Sequence, residues 1–306
     1  MERFKELKKY LYLIGGLLLL VIFVVIYLVG SLDNKTSYFY NDKKELVKVK
    51  KDNNEFQNID MTEYLIGVLA CEMPASFEEE ALKAQAIASR TFAYYLKSIG
   101  KDITTDISTQ CMYNNSQMKE IWNEDYEKYY LKIKNAVEKT DNLLITYNGK
   151  IISSYYFAMS NGYTEDSMLV FNENKDYLKS VSSLDEIENR NFEKNVTFSK
   201  QEFCKKLDIN CENIIINNVI RSKSNRVNEI TINNKTFKGT EFRKILNLRS
   251  TDFTINISNE VIITTYGYGH GVGMSQYGAN YLAKKGYNYE QILKYYYQGV
   301  NITCII

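Results

Sequence analysis

A glycine-rich run around a single histidine constrains this chain more than any other stretch. The run Gly267–Ala279 has the sequence GYGHGVGMSQYGA, and its His270 is the only histidine in 306 residues. A strand-like apolar segment precedes the run and a helix-like segment follows it. Because glycine adopts positive φ and lets main chains approach closely, we predict a tight strand-to-helix turn that presents His270, Ser275 and Gln276. A turn with an incidental histidine is the alternative interpretation.

The N-terminus carries an uncharged stretch long enough to cross a bilayer. A charged tip is followed by residues 10–32, about 23 residues without a charge. We therefore expect a retained single-pass anchor in residues 1–32, with the N-terminus in the cytoplasm because basic residues favour that side. A cleaved signal peptide is the competing interpretation, but Val29-Gly30-Ser31 is a poor cleavage site. The polar residues 33–58 predict an extracytoplasmic stalk.

Charge and cysteine usage argue against several kinds of site. The net charge of +1 gives no indication of nucleic-acid binding. Five cysteines lie far apart and are odd in number, which is not typical of a disulfide framework. Cys204 and Cys211 are near enough in sequence to pair, and free buried thiols are an equal alternative. One histidine and dispersed cysteines do not supply the close ligands of a zinc site, so we expect no metal and no cofactor.

The folded part is predicted to begin with helices. Asp60 with Glu63, and Ser76 with Glu79, have the spacing of capping boxes. Each pair precedes a run with apolar residues on one helical face, and a third helical pattern follows. The N-terminal half of this part is therefore expected to be largely α-helical.

Strand patterns become frequent in the second half. Asn148-Gly149 is a type I′ turn signal between two β-rich runs and predicts a hairpin over residues 143–157. Helices first, then mixed strands and helices, favour an α+β fold rather than a doubly wound parallel sheet. We expect helices packed with antiparallel or mixed sheets in one domain, residues 59–306, preceded by one N-terminal transmembrane helix.

Glu72 has the surroundings of a carboxyl tuned for acid catalysis. It is predicted to end the first helix just before Pro74, where the negative end of the helix dipole opposes ionisation. The apolar neighbours Met73 and Phe77 would add desolvation. A carboxyl that stays protonated near neutral pH can serve as a general acid. The alternative for Glu72 is a solvated helix-end carboxylate, and for Arg90, on the next helix, a surface or ion-pair residue.

Seven further motifs stand in a recognisable order with the glycine–histidine run. They are Glu72-Met73-Pro74, Lys83-Ala84-Gln85-Ala86, Arg90-Thr91, Ala158-Met159-Ser160-Asn161-Gly162-Tyr163-Thr164-Glu165, Gly239-Thr240-Glu241-Phe242-Arg243, Leu248-Arg249-Ser250-Thr251-Asp252-Phe253 and Tyr295-Tyr296-Tyr297-Gln298-Gly299. In sequence and order they resemble the stage II sporulation protein D family, over nearly all of residues 59–306. Cys71 departs from the small non-thiol residue expected at its position.

The resemblance implies an activity and a set of site residues. It implies a membrane-anchored lytic transglycosylase that cleaves the bond between N-acetylmuramic acid and N-acetylglucosamine in peptide-stripped peptidoglycan, leaving 1,6-anhydro ends, during forespore engulfment. The family's catalytic glutamate falls on Glu72. Expected substrate-binding positions fall on Gln85, Arg90, Ser160, His270, Ser275 and Gln276.

The resemblance also implies partners and a location. Expected partners are peptidoglycan glycan strands, the membrane, and stage II sporulation proteins P and M. The catalytic domain is expected outside the cytoplasm, in the intermembrane space during engulfment. Two other function classes stay open. One is a non-catalytic wall-binding module that activates a partner amidase, since the domain also resembles amidase-enhancer proteins. The other is a structural anchor for an engulfment complex. Glu72 is the feature that discriminates among the three.

Overall fold

The computed structural model describes residues 45–50, 55–106, 108–183 and 192–305. The anchor predicted in residues 1–32 lies outside these ranges. Among the residues that are described, no helix is both long enough and apolar enough to span a bilayer.

Several helices begin at side-chain caps that the sequence supplies. Asp60 accepts hydrogen bonds from the main-chain N–H groups of Thr62 and Glu63, and Asn288 forms a full capping box with Gln291. The helices of the described ranges are α1 (Met61–Glu72), α2 (Glu79–Ser98), α3 (Asn115–Trp122), α4 (Tyr126–Glu138), α5 (Ser167–Phe171), α6 (Lys200–Leu207), α7 (Gly239–Ile245), α8 (Gln276–Lys284) and α9 (Tyr289–Tyr296).

The strands are short and form several small sheets, which confirms the α+β prediction. They are β1 (Leu46–Lys50), β2 (Phe56–Asp60), β3 (Ile103–Thr104), β4 (Leu143–Tyr147), β5 (Lys150–Ile151), β6 (Tyr156–Phe157), β7 (Gly162–Tyr163), β8 (Ser182–Ser183), β9 (Glu193–Ser199), β10 (Ile216–Arg221), β11 (Val227–Ile232), β12 (Lys235–Lys238), β13 (Phe253–Ile257), β14 (Glu260–Tyr266), β15 (Met274–Ser275) and β16 (Asn301–Cys304).

Antiparallel pairing predominates in these sheets. The three-stranded sheets have the orders β2-β1-β3, β16-β4-β5, β13-β14-β9 and β10-β11-β12, and β7-β8 and β15-β6 are two-stranded. Parallel pairing occurs between β1 and β3 and between β15 and β6. The β15-β6 pair joins the glycine–histidine turn to the middle of the chain.

Two hydrophobic cores hold the elements together. The first is built around α2, whose Leu82, Ala86 and Leu96 are buried among α1, α4, α8 and α9. The second lies between α6, α7 and the strands β9 to β14 and is rich in phenylalanine. Asn161 bridges the parts of the chain that carry the two cores, because its Nδ2 donates to the carbonyl of Ser224 at 2.6 Å.

A compact unit spans Leu46–Ile306 and so includes β1 and the first residues of β2, which lie inside the segment 33–58 that the sequence predicts as a stalk. In β1, Val47 and Val49 are buried in the first core while Lys48 is exposed. This period of two is the signature of a half-buried strand, and the density of lysines around it hides the pattern in the sequence.

The predicted hairpin over residues 143–157 is shorter than expected. The second strand, β5, ends at Ile151. The N–H of Ile152 still donates to the carbonyl of Ile145 in β4, but the chain then turns away, and Ser154 Oγ donates to the carbonyl of Ala88 at 2.7 Å. Tyr156 and Phe157 instead form β6 and pair with β15. This redirection brings β6 beside α8, where the candidate site lies.

Candidate active site

Glu72 is the last residue of α1, and its side chain is partly exposed. The helix ends here because Met73 adopts an extended conformation, φ −134° and ψ 136°, which the following Pro74 favours. Upstream, Tyr64 and Leu65 are fully buried and fix α1 in the first core. A half-buried carboxyl is thereby held at the end of a firmly packed helix.

Two hydrogen-bond donors hold this carboxyl. The main-chain N–H of Cys111 donates to Glu72 Oε1 at 2.9 Å, and the side-chain amide of Gln276 donates as well. Burial is the largest influence and raises the pKa of Glu72 above its usual range, while the two donors act in the opposite direction. Among the residues that the structure describes, no second carboxylate contributes to this shift.

A directional chain of hydrogen bonds runs from Glu72 into the core. Gln276 Nε2 donates to Gln85 Oε1 at 3.5 Å, and Gln85 Nε2 donates to Ser89 Oγ at 3.0 Å. Ser89 in turn bonds to the side chain of Tyr156. Because buried amides need partners for both of their polar atoms, this chain fixes the orientation of Gln276 and directs an N–H at Glu72.

Gln110 joins the same cluster from the irregular segment between β3 and α3. Tyr64 Oη donates to Gln110 Oε1, and Gln110 Nε2 donates to Tyr156 Oη, both at 2.8 Å. Burial first, and the charge of Glu72 second, raise the pKa of both phenols, so they act as neutral hydroxyl groups. We call Tyr64, Glu72, Gln85, Ser89, Gln110, Tyr156 and Gln276 the Glu72 cluster.

Three other predicted substrate-binding side chains bond to main-chain groups. Arg90 is buried and donates to three carbonyls within residues 137–143, where α4 ends and β4 begins. Ser160 Oγ donates to the carbonyl of Ser183 at 2.7 Å. Ser275 Oγ caps α8 by accepting the N–H of Gly278 at 3.3 Å. Contact with substrate stays a prediction for all three.

His270 lies in an aromatic setting on the far side of β6. Its ring is surrounded by Tyr155, Phe157 and Phe171, and its Nδ1 accepts the N–H of Val272 at 3.0 Å. The main-chain carbonyl of Tyr156 accepts a hydrogen bond from the ring as well. Burial, and then the nearby positive charges of two arginines, lower the pKa of His270 to about 3. The imidazole is therefore neutral and bonded to main chain, which fits its alternative interpretation as a structural histidine.

We expect His270→Asn to lower the free energy of unfolding by about 1–3 kcal/mol at pH 7, because one ring hydrogen bond and some packing are lost. The lowered pKa of His270 means that wild-type stability is present above the ordinary histidine pKa and declines as the pH falls towards 3. Asparagine does not titrate, so the difference in free energy of unfolding between wild type and variant should become smaller as the pH falls. Urea unfolding of residues 34–306 between pH 7 and 4 measures this difference, and a difference that stays constant would contradict the lowered pKa of His270.

The structure corrects the expectation that the cysteines do not form a disulfide framework. Cys71 pairs with Cys111, and Cys204 with Cys211, while Cys304 is free and exposed. The first pair, 40 positions apart, forms because the segment before α3 lies against the end of α1. The described part of the chain holds no group of three or more His, Cys, Asp and Glu side chains placed to bind a metal ion.

Sequence reasoning identifies part of the Glu72 cluster. The structure brings Glu72, Gln85 and Gln276 together from three elements. Ser89 has a local signal that was missed, since it lies one turn after Gln85 on an otherwise apolar face of α2. Gln110 has no such signal, because it lies outside regular secondary structure and meets the cluster only through tertiary contacts.

Known proteins resemble this chain over most of its length. A family model described as Stage II sporulation protein matches residues 49–147. The chain is 40% identical to stage II sporulation protein D of Bacillus amyloliquefaciens over 265 residues, which cover 83% of this chain and 77% of that protein. It is 38% identical to stage II sporulation protein D of Bacillus subtilis (strain 168), covering 82% and 76%.

A more distant relative has another name. The amidase enhancer of Bacillus subtilis (strain 168) is 28% identical over 301 residues, which cover 78% of this chain and 40% of that protein. The identity to the two sporulation proteins is higher, and the match to them covers about three quarters of each protein. The chain belongs to the stage II sporulation protein D family.

Proposed function

We propose that this protein is a lytic transglycosylase that cleaves the bond between N-acetylmuramic acid and N-acetylglucosamine in peptide-stripped peptidoglycan. The observation that carries the proposal is Glu72: a partly exposed carboxyl with a raised pKa and no second carboxylate acting on it among the described residues. Glycoside hydrolases usually need a pair of carboxyl groups, one as acid and one as base or nucleophile. A reaction that uses the sugar's own hydroxyl needs only one.

The proposed reaction uses Glu72 twice. The protonated carboxyl donates its proton to the glycosidic oxygen as the bond to C1 of the muramic acid breaks, and positive charge develops on that sugar. The resulting carboxylate then accepts the proton of the same sugar's 6-hydroxyl as its oxygen bonds to C1. The products are a 1,6-anhydro end and a free 4-hydroxyl, and no water is consumed. The carboxyl is again protonated for the next cycle.

The cluster around Glu72 suits both steps. Burial keeps the carboxyl protonated at a pH where an ordinary glutamate is ionised, which favours the first step. The N–H of Cys111 and the amide of Gln276 stabilise the carboxylate once the proton has left. Their opposing influence on the pKa supports a group that must both give and take a proton.

We expect Gln276→Met to move the alkaline limb of the kcat/KM profile to higher pH. Methionine has a similar volume but cannot donate a hydrogen bond. The variant therefore loses a contact that lowers the pKa of Glu72, and the carboxyl stays protonated up to a higher pH. Profiles of variant and wild type from pH 4 to 9 measure the shift. Gln201→Met, on the exposed face of α6, is the matched control, and a limb that does not move would remove Gln276 from this role.

The cellular setting is part of the proposal. Both proteins called stage II sporulation protein D are similar over most of this chain, which supports a role in sporulation. The uncharged residues 10–32 support a single-pass membrane anchor, with the catalytic domain outside the cytoplasm. Two disulfides fit an oxidising, extracytoplasmic compartment. Stage II sporulation proteins P and M are proposed as partners in engulfment on the same family grounds.

A non-catalytic wall-binding module is the second candidate, favoured by the similarity to the amidase enhancer. Incubation of purified full-length protein in detergent with peptide-stripped glycan strands separates the two. Mass spectrometry should find new 1,6-anhydro ends. Each is about 18 mass units lighter than a hydrolysed end, because no water is added in the reaction. Binding of the strands without new ends would support the wall-binding module instead.

A further inference from the structure

The Cys71–Cys111 disulfide links two residues that are each directly connected to Glu72. Cys71 directly precedes Glu72 at the end of α1, and its sulfur partner Cys111 is the residue whose N–H donates to Glu72 Oε1 at 2.9 Å. The Cα atoms of the two cysteines lie 5.7 Å apart. The bond therefore ties the main chain beside the carboxyl to the donor of one of the carboxyl's hydrogen bonds.

The segment that carries Cys111 has no strand ladder to fix its N–H. It lies between the end of β3 and the start of α3, and its described residues are in neither a helix nor a strand. Contacts on either side of Cys111 keep the segment against α1: Gln110 bonds to Tyr64, and the N–H of Tyr113 donates to the carbonyl of Gly67 at 3.0 Å. Loss of the disulfide should leave the segment docked and loosen mainly residue 111.

We propose that the Cys71–Cys111 disulfide is a positioning element of the active site, which keeps the N–H of residue 111 on the Glu72 carboxyl. The inference rests on the proposed function, because it assumes that Glu72 transfers the proton. Without the bond, the carboxyl samples more rotamers and the carboxylate formed during the reaction loses a fixed donor. A fall in kcat of about tenfold or more is the size expected for one hydrogen bond to a charged group.

The test compares the two disulfides in full-length protein in detergent. Cys71→Ser/Cys111→Ser should lower kcat about tenfold with little change in KM. It should also move the alkaline limb of the pH profile upwards, because the Cys111 N–H lowers the pKa of Glu72. Cys204→Ser/Cys211→Ser is the matched control in the second core, with a Cα separation of 5.6 Å. This control variant should have wild-type kcat and an unchanged alkaline limb of the pH profile, even if its melting temperature falls.

Reduction of the native protein gives a second measurement that does not depend on the folding of a variant. A phosphine reductant breaks the S–S bond, the two sulfurs become thiols, and the phosphine becomes its oxide with the oxygen of one water. Treated wild type should show the same loss of kcat and the same shift of the limb as Cys71→Ser/Cys111→Ser. Treatment of that variant should change nothing further.

Three results are decisive. If kcat and the alkaline limb of the pH profile both stay at their wild-type values after loss of the Cys71–Cys111 bond, the inference is wrong and the proposed function still stands. Alkylation of Cys71 and Cys111 in the native, unreduced protein would overturn it as well. A wild-type protein that releases no anhydro ends would instead refute the proposed function, and the inference with it, so the two failures are told apart in the untreated sample.

Discussion

Glu72→Gln is expected to lower the release of 1,6-anhydro ends by about a hundred- to ten-thousandfold, the usual contribution of a general acid–base group. Glutamine has nearly the same shape, and its Oε1 can still accept the N–H of Cys111. It has no acidic proton to give, so the loss should lie in kcat, with KM and binding of the glycan strand largely unchanged. Mass spectrometry of the glycan products over time measures both quantities.

The stability of the same variant provides an independent check. The raised pKa of Glu72 means that its contribution to wild-type stability is present at low pH and is lost as the pH rises through the folded-state pKa. Glutamine does not ionise, so the variant should gain melting temperature relative to wild type as the pH increases. Glu63→Gln, an exposed change in the first turn of α1, is the matched control and should alter neither activity nor this trend. Full activity in Glu72→Gln would remove Glu72 from the proposed catalytic role.

Local sequence patterns predict much of the fold because they describe contacts between neighbouring residues. Asp60 caps its helix as expected, accepting the N–H groups two and three residues ahead. Ser76 was expected to do the same and does not, because the helix begins later, at Glu79. The residue before it, Glu78, has its N–H bonded to Asn280 Oδ1 at 2.8 Å. A contact across 202 positions has overridden the local signal at this point.

The candidate site likewise contains residues that local motifs identify and residues that only tertiary contacts bring together. Glu72, Gln85 and Gln276 stand in motifs and could be named from the sequence. Their arrangement depends on Gln110 and on the partner of Cys71, which lie in an irregular segment and meet the cluster only through tertiary contacts. The glycine–histidine run shows a related limit. Its turn was predicted, but its histidine is held by aromatic rings and main-chain groups, and pairing of β15 with β6 is what brings the start of α8 to Glu72.

Gly273→Ala should therefore damage both the fold and the site. Gly273 has φ 79°, and a Cβ at this position would overlap the main-chain oxygen of Tyr155. That oxygen accepts the N–H of Met274 at 3.1 Å and the hydroxyl of Tyr297 at 2.8 Å, so it cannot move without loss of the β15-β6 pairing. We expect a fall of about 3–5 kcal/mol in the free energy of unfolding, in the range of severe steric changes in a core.

Gly286→Ala separates the steric effect from the cost of the backbone conformation. Gly286 has a similar φ of 89°, but a Cβ there would meet no atom within 4 Å. Alanine at this position should cost only about 1–2 kcal/mol, the ordinary penalty of a left-handed conformation, and should leave turnover intact. Urea unfolding and turnover of both variants, measured on residues 34–306, decide the matter. Equal destabilisation would mean that the close approach to Tyr155 does not constrain the turn. A larger loss in Gly273→Ala, with reduced turnover of the folded fraction, is expected. Tyr156 lies in β6 and bonds to Gln110 of the Glu72 cluster, and Gln276, directly after β15, donates to Glu72 itself.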